Sequence, residues 1–233
     1  MKLKLTPLYI LAFLFLLFLV HEVHDWSHAL MARAVSPSWG PRVFNGWDFC
    51  PGFKVTSGPR ALALIAGPII NYVLLWVGWW HLDQENPLQE QSLGCSLVFA
   101  TLPLNGLLAA FDGGGDLTNS IRWLQQHGPG SNHAFVTILG LLLVLVLTVP
   151  PLLRAFLQLP GYKGKLFIFP VLLLVPGWLD GQLVGKWLNN WLITPGMSQA
   201  HAYEWVIGWG VFLLIGWLLT RQWLEDLMRE LSF

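Results

Sequence analysis

Long apolar segments constrain the fold of this chain more than any other feature. Five or six stretches are apolar over about 20 residues, the length that an α-helix needs to cross a bilayer. Charged residues make up only 11% of the chain and the mean hydropathy is +0.55, whereas soluble domains carry about a quarter charged residues. We therefore predict an all-α, multi-pass integral membrane protein, a polytopic bundle of about six transmembrane helices. The predicted spans are 5–35, 60–81, 91–111, 133–159, 166–192 and 203–227, with breaks at Pro150–Pro151, Pro170 and Pro176.

Glycine and proline mark the connections between these spans. Alternating residues at 42–44 and 53–55 predict a short hairpin at the membrane surface. The glycine-rich stretch 112–116 predicts irregular backbone, followed by a short helix over 117–126 that Asp116 caps. The first apolar run is longer than the apolar core of a signal peptide, so we expect it to be a retained helix.

Charge and cysteine content exclude two classes of protein. The chain carries 13 basic and 13 acidic side chains and has no net charge, so it has no electrostatic footprint for nucleic acid. Its expected surroundings are the lipid bilayer. Cys50 and Cys95 lie in unrelated contexts and predict two packing thiols rather than a disulfide framework.

A cluster of ionisable residues, His21 to His28, stands at the end of the first apolar run. Ionisable groups at membrane depth cost about 2.5 kcal/mol or more, so they indicate a functional site. His24 and His28 are four residues apart on one helical face, where two imidazoles can bind one metal ion. Asp25 occupies the position that an H-E-x-x-H motif gives to its general base. His21 lies on the same face, and with Glu22 it is a candidate partner for the ligands.

Helix geometry predicts that other polar residues meet this cluster. With a rise of about 1.5 Å per residue, His28 lies about 10 Å inside the C-terminal end of the first helix. The chain re-enters the membrane from the same side and brings Asn71 to a similar depth. The third span then delivers Asn105 and the aspartates of 112–116 to that side.

Three short motifs resemble, in order, those of the site-2 protease family of intramembrane zinc metalloproteases. Residues 24–32, HDWSHALMA, resemble its H-E-x-G-H-A-L-x-A signature. Residues 66–71, AGPIIN, resemble its G-P-x-x-N motif. Asn105 together with FDGG at 111–114 resembles the motif in which an Asn precedes an L-D-G-G segment. The resemblance covers about the first 125 residues.

The resemblance implies a fold, a cofactor and a substrate class. It implies a three-helix metalloprotease-like core within 1–126, with 127–233 adding further transmembrane helices of the same domain. It implies that Zn²⁺ is held by His24, His28 and one aspartate, and that a transmembrane or membrane-proximal peptide is cleaved. It also implies that Asn71 and Asn105 bind substrate.

Two departures from the family pattern leave alternatives open. Asp25 is one methylene shorter than the glutamate at the base position, which favours an inactive homologue that serves as a membrane binding or assembly subunit. The aspartate ligand is either Asp112, which has the better flanking residues and is slightly preferred, or Asp116, which opens the next helix. Asp180, in a later L-D-G match, is a weaker rival. Because no soluble recognition domain is found, substrate selection is expected within the membrane or through a membrane-protein partner.

Overall fold

The computed structural model describes residues 2–3, 5–125, 133–159, 161–193 and 197–229. The α-helices are α1 (Pro7–Val35), α2 (Ser57–His81), α3 (Leu88–Ala100), α4 (Pro103–Phe111), α5 (Asp116–Gln125), α6 (His133–Gln158), α7 (Gly161–Lys163), α8 (Phe169–Gln182), α9 (Asn189–Leu192) and α10 (Gln199–Thr220). The π-helical turns Gly164–Ile168 and Leu183–Leu188 precede and follow α8, and a 3₁₀ turn, Arg221–Asp226, follows α10. The strands are β1 (Lys2–Leu3), β2 (Arg42–Val43), β3 (Gly46–Trp47) and β4 (Met228–Arg229).

Among the described residues, six helical segments are long and apolar enough to cross a membrane. This confirms the predicted all-α class and the number of long apolar helices. The segments are 7–35, 57–81, 88–111, 133–158, 165–192 and 199–225. Residue 126, the predicted end of the short helix after the third span, lies outside the described residues.

The third predicted span is interrupted rather than continuous. It divides into α3 and α4 at Thr101–Leu102, because Pro103 has no N–H to donate to the preceding turn. Leu102 adopts a left-handed conformation with φ of 52°, which costs a residue with a side chain about 1–2 kcal/mol. Irregular backbone of this kind is tolerated at membrane depth only where it is buried in protein or lines a cavity.

The breaks predicted at Pro150–Pro151 and Pro176 are wrong. Helix α6 continues through Pro150 and Pro151, and α8 continues through Pro176, whereas Pro170 lies in the first turn of α8. Prolines are tolerated inside membrane helices where local π adjustments and neighbouring groups satisfy the freed carbonyls. A π-helical turn does lie just before Pro170.

The surface hairpin exists, but one of its predicted strands is wrong. Strands β2 and β3 pair antiparallel, with Arg42 opposite Trp47 and a two-residue turn at Phe44–Asn45. Residues 53–55 form no strand, because Phe53 and Val55 pack against an apolar cluster instead.

Helix α1 is central and packs against α2, α3 and α10. Helices α2 and α3 approach closely at two glycines, where a Cβ on Gly94 would lie 2.7 Å from the carbonyl oxygen of Gly78. Cys50 and Cys95 are both buried free thiols, as predicted. The tight α1–α2 contact is what places the residues of α2 beside the histidines of α1.

Candidate metal centre

His24 and His28 face each other on one side of α1. Their ring centroids are 4.7 Å apart, and their Nε2 atoms are 3.1 Å apart. His28 is almost fully buried, whereas His24 is partly exposed. The four-residue spacing therefore directs the two imidazole nitrogens to one point, as the helical period requires.

Asp116 completes a group of three potential metal ligands. Its Oδ2 lies 3.6 Å from His24 Nε2 and 3.4 Å from His28 Nε2. Asp116 is the first residue of α5 and follows a turn in which Gly113 and Gly115 have φ of 71° and 81°. These left-handed conformations favour glycine, so the glycine-rich sequence is what turns the chain back toward α1.

The electrostatics of Asp116 reflect its two histidine neighbours. Burial of the carboxyl raises its pKa, but the hydrogen bonds with His24 and His28 outweigh burial and hold the pKa well below its usual range. The carboxylate is therefore the stable form of this group beside the two imidazoles.

The separations within the group are those of a tetrahedral metal site. Four ligands at 2.0–2.1 Å from one ion lie about 3.3 Å from one another. The three separations of 3.1, 3.4 and 3.6 Å are close to this value, and within the described residues no other such group of His, Cys, Asp and Glu occurs. Two imidazoles and one carboxylate leave the fourth position open, as in catalytic zinc sites.

Helix α2 and the hairpin fix the orientation of His28. Its Nδ1 lies 2.6 Å from the carbonyl oxygen of Ala63, which assigns the proton to Nδ1 and leaves Nε2 free to bind a metal. The Trp47 ring stacks on the imidazole at 5.0 Å between centroids, with an interplanar angle of 13°. The Nδ1 of His24 is buried and has no hydrogen-bond partner among the described residues. The two ligands are thus held unequally.

Gly67 provides the space that the two imidazoles occupy. A Cβ at this position would overlap Nε2 of His28 and would lie 2.7 Å from Cε1 of His24. Only a glycine in α2 allows the backbone to approach the rings this closely.

Asp112 is not part of the group, although the sequence slightly favours it as the third ligand. Asp112 caps the C-terminal end of α4 and is exposed. The three glycines between the two aspartates turn the chain back toward α1 before residue 116 is reached. The geometry therefore favours Asp116 as the third ligand.

Asp25 lines the same cavity as the two histidines but is also engaged in a buried ion pair. Its Oδ2 lies 3.2 Å from Nη1 of Arg42, whose Nη2 lies 3.0 Å from Oε2 of Glu22. The Arg42 side chain is fully buried, donates to the carbonyl oxygens of Val43 and Gly46, and lies against the Trp26 ring. Asp25 therefore has a fixed position beside the ligands, set by strand β2.

His21 and Asp180 form a second ion pair next to Asp25. The Nδ1 of His21 lies 3.0 Å from Oδ1 of Asp180, and its Nε2 lies 3.7 Å from Oδ2 of Asp25. Asp180, the weaker rival for the third ligand position, is thus a partner of His21 and lies outside the ligand group.

A cavity of about 600 Å³ opens beside the three ligands. Asn71 of α2 and Asn105 of α4, the two predicted substrate-binding residues, both line it, as do the interrupted backbone at 101–103 and the β3 strand. The Oδ1 of Asn71 is buried without a partner among the described residues, and Asn105 is exposed. The cavity brings together every predicted site residue except Asp112.

Sequence reasoning missed Arg42 and Trp47, which come from the hairpin. One signal for Arg42 was present: Glu22 and Asp25 are three residues apart on a buried face, and buried carboxylates need a cation. Trp47 carried no such signal, because many of the 14 tryptophans are expected at membrane interfaces.

Comparison of the chain with protein-family models, with curated proteins and with solved structures finds no match. The resemblance to the site-2 protease family therefore stays a prediction from three short motifs. Functional interpretation depends on the geometry of the site.

We expect Gly67→Ala to weaken metal binding by at least about tenfold, because the added methyl group displaces both imidazoles. Zinc titration of the purified protein measures this effect. Gly58→Ala is the matched control, since Gly58 lies in the same helix with open space around its Cα. Equal affinity of the two variants would contradict the role assigned to Gly67.

We expect Arg42→Met to lower the free energy of unfolding by about 3–5 kcal/mol, because it leaves the Glu22 and Asp25 carboxylates buried without a cation. Equilibrium unfolding in detergent micelles tests this. Arg33→Met removes a partly buried arginine whose side chain, within the described ranges, donates to no group but the carbonyl oxygen of Ser36, and it should cost much less. A comparable loss in both variants would show that the ion pairs of Arg42 are not what stabilises the hairpin.

Proposed function

We propose that this chain is an intramembrane zinc metalloprotease of the site-2 protease type, acting on peptide bonds of membrane-embedded or membrane-proximal substrates. The observation that carries the proposal is the group of His24, His28 and Asp116, which opens into a cavity within a bundle of six long apolar helices. An intramembrane ionisable cluster of this kind has a cost that a merely structural role does not explain.

In this proposal the chain's own residues have separate roles. His24, His28 and Asp116 hold zinc, which when bound polarises the scissile carbonyl and makes water a better nucleophile. Asp25 accepts the proton of the attacking water, and its position depends on Arg42. Asn71 and Asn105, which both line the cavity, exchange hydrogen bonds with the extended backbone of the substrate.

The interrupted third span supports a peptide substrate. The left-handed Leu102 and the proline that follows it leave a stretch of non-helical backbone along the cavity. Such backbone offers polar groups to a chain that is itself not helical, and cleavage of a peptide bond requires the substrate to be unwound at that point.

A second function is favoured by one specific observation. Asp25 is shorter than a glutamate, and its Oδ2 is paired with Arg42. A base must come within about 3 Å of the proton that it accepts. If Arg42 keeps Asp25 out of this range, the chain is an inactive homologue that retains the metal site as a membrane binding or assembly subunit.

Zinc content tests the ligand set. We expect stoichiometric zinc in the purified wild-type protein and loss of it in His24→Ala and Asp116→Asn, because each removes one of three ligands. Asp112→Asn is the matched control and should retain zinc, since Asp112 lies outside the group. Elemental analysis measures all four proteins, and zinc retention by Asp116→Asn with loss in Asp112→Asn would reverse the assignment.

A cleavage assay separates the two functions. With a model transmembrane peptide in vesicles, we expect the wild-type protein to cleave and Asp25→Asn to be slower by about 10²-fold or more, because the amide accepts no proton. Asp25→Glu restores the family residue. If zinc-loaded wild type is inactive and Asp25→Glu cleaves, the inactive-homologue function is correct.

A further inference from the structure

Arg60 differs from the other charged residues that line the cavity. Among the described residues, it is the one lysine or arginine in the lining, whereas the other ionisable side chains there, apart from the phenol of Tyr72, are histidines and aspartates. These are His21, His24, His28, Asp25, Asp48, Asp116 and Asp180. A single guanidinium among imidazoles and carboxylates marks its end of the cavity as the place for an anion.

The guanidinium of Arg60 has no carboxylate partner within ion-pair distance in the described part of the chain. Its Cζ lies 4.8 Å from the centroid of the Trp123 ring in α5. This cation–π contact orients one face of the guanidinium and uses none of its N–H donors. Arg122, by contrast, donates to the carbonyl oxygen of Gly113 at 2.7 Å and to Asn119 at 2.5 Å. Arg60 is therefore held in place, and its guanidinium makes no hydrogen bond with the described residues.

The distance from Arg60 to the metal ligands is set by α2. Arg60 lies in the first turn of the helix, one turn before Ala63, whose carbonyl oxygen contacts His28. Gly67, which abuts both imidazoles, follows Arg60 by seven residues, or about 10 Å along the helix axis. An extended peptide rises about 3.3 Å per residue, so this distance corresponds to about three residues of substrate.

The opposite end of the cavity is apolar. Leu75 and Val144 line it, together with the side chains of Tyr72 and Thr148. Leu75 lies eight residues beyond Gly67, or about 12 Å along α2 in the direction away from Arg60. The cavity thus accepts apolar residues at its deep end and an anion at the end near the hairpin.

We propose that Arg60 selects substrates by binding a carboxylate about three residues from the scissile bond. The substrate is then a membrane segment that ends, on the hairpin side, in an acidic side chain or in its own terminal carboxylate. This inference rests on the proposed function, because it takes the cavity to be the substrate site. Arginine suits the role because its planar fork binds a carboxylate through two hydrogen bonds.

Binding of two matched peptides to the full-length protein tests the proposal. Each labelled peptide has an apolar segment of about 20 residues. One carries a single Glu at the end of that segment, and the other carries Gln there. In phosphatidylcholine vesicles, with and without added zinc, we expect the wild-type protein to bind the Glu peptide about tenfold more tightly. Arg60→Gln should remove this preference and leave the affinity for the Gln peptide unchanged, and Arg60→Lys should retain part of it. Arg33→Gln, which removes a positive charge outside the cavity lining, should keep the full preference.

Three results would overturn the proposal. The first is equal binding of both peptides by the wild-type protein. The second is an equal loss of preference in Arg33→Gln and Arg60→Gln, which would indicate a general surface field. The third comes from repeating the assay in vesicles that also contain phosphatidylglycerol. If Arg60→Gln weakens the binding of both peptides equally, and only in those vesicles, Arg60 binds a lipid phosphate instead. Because binding is measured, a charge preference without cleavage refutes the protease function alone, and cleavage without a charge preference refutes the role of Arg60 alone.

Discussion

A buried guanidinium joins the two parts of the molecule on which the candidate metal centre depends. Arg42 comes from the hairpin, and its carboxylate partners Glu22 and Asp25 come from α1, on either side of His24. A charge removed from water costs several kcal/mol unless it is paired, so hairpin and helix are stable only in contact with each other. The register of β2 and β3 then places Trp47, opposite Arg42, against the ring of His28. One ion-pair cluster thus fixes both the position of Asp25 and the ring that covers one face of the His28 imidazole.

The helices added after residue 126 contribute to the same region. Asp180 of α8 pairs with His21, Asn189 of α9 accepts a hydrogen bond from the backbone N–H of Phe44 at 3.0 Å, and Tyr203 of α10 donates to the carbonyl oxygen of Gly40 at 2.6 Å. The hairpin and the loop before it are therefore held by α9 and α10 besides α1, whereas α8 contacts α1 through His21. The C-terminal part of the chain thus supports the residues around the site. None of its described residues belongs to the group of potential ligands.

The sequence was sufficient for features that depend on local periodicity. The six long apolar helices follow from hydropathy, and the pairing of His24 with His28 follows from the 3.6-residue helical period. The identity of the third carboxylate did not follow, because three consecutive glycines leave the direction of the chain between Asp112 and Asp116 undetermined by sequence. The prolines led to predicted helix breaks that the structure does not have. Neighbouring helices and π-helical turns accommodate prolines that would end a helix in water. Long-range partners such as Arg42 required the fold.

The contact at Gly67 couples α2 to the two histidines. Because the backbone of α2 touches both imidazoles there, any outward displacement of α2 would change the metal ligands themselves. Helix α4 also lines the cavity and joins α3 through the non-helical Thr101–Leu102 joint. The turn that carries Asp116 is hydrogen-bonded to the last turn of α4. Displacement of either helix would therefore move part of the group formed by His24, His28 and Asp116.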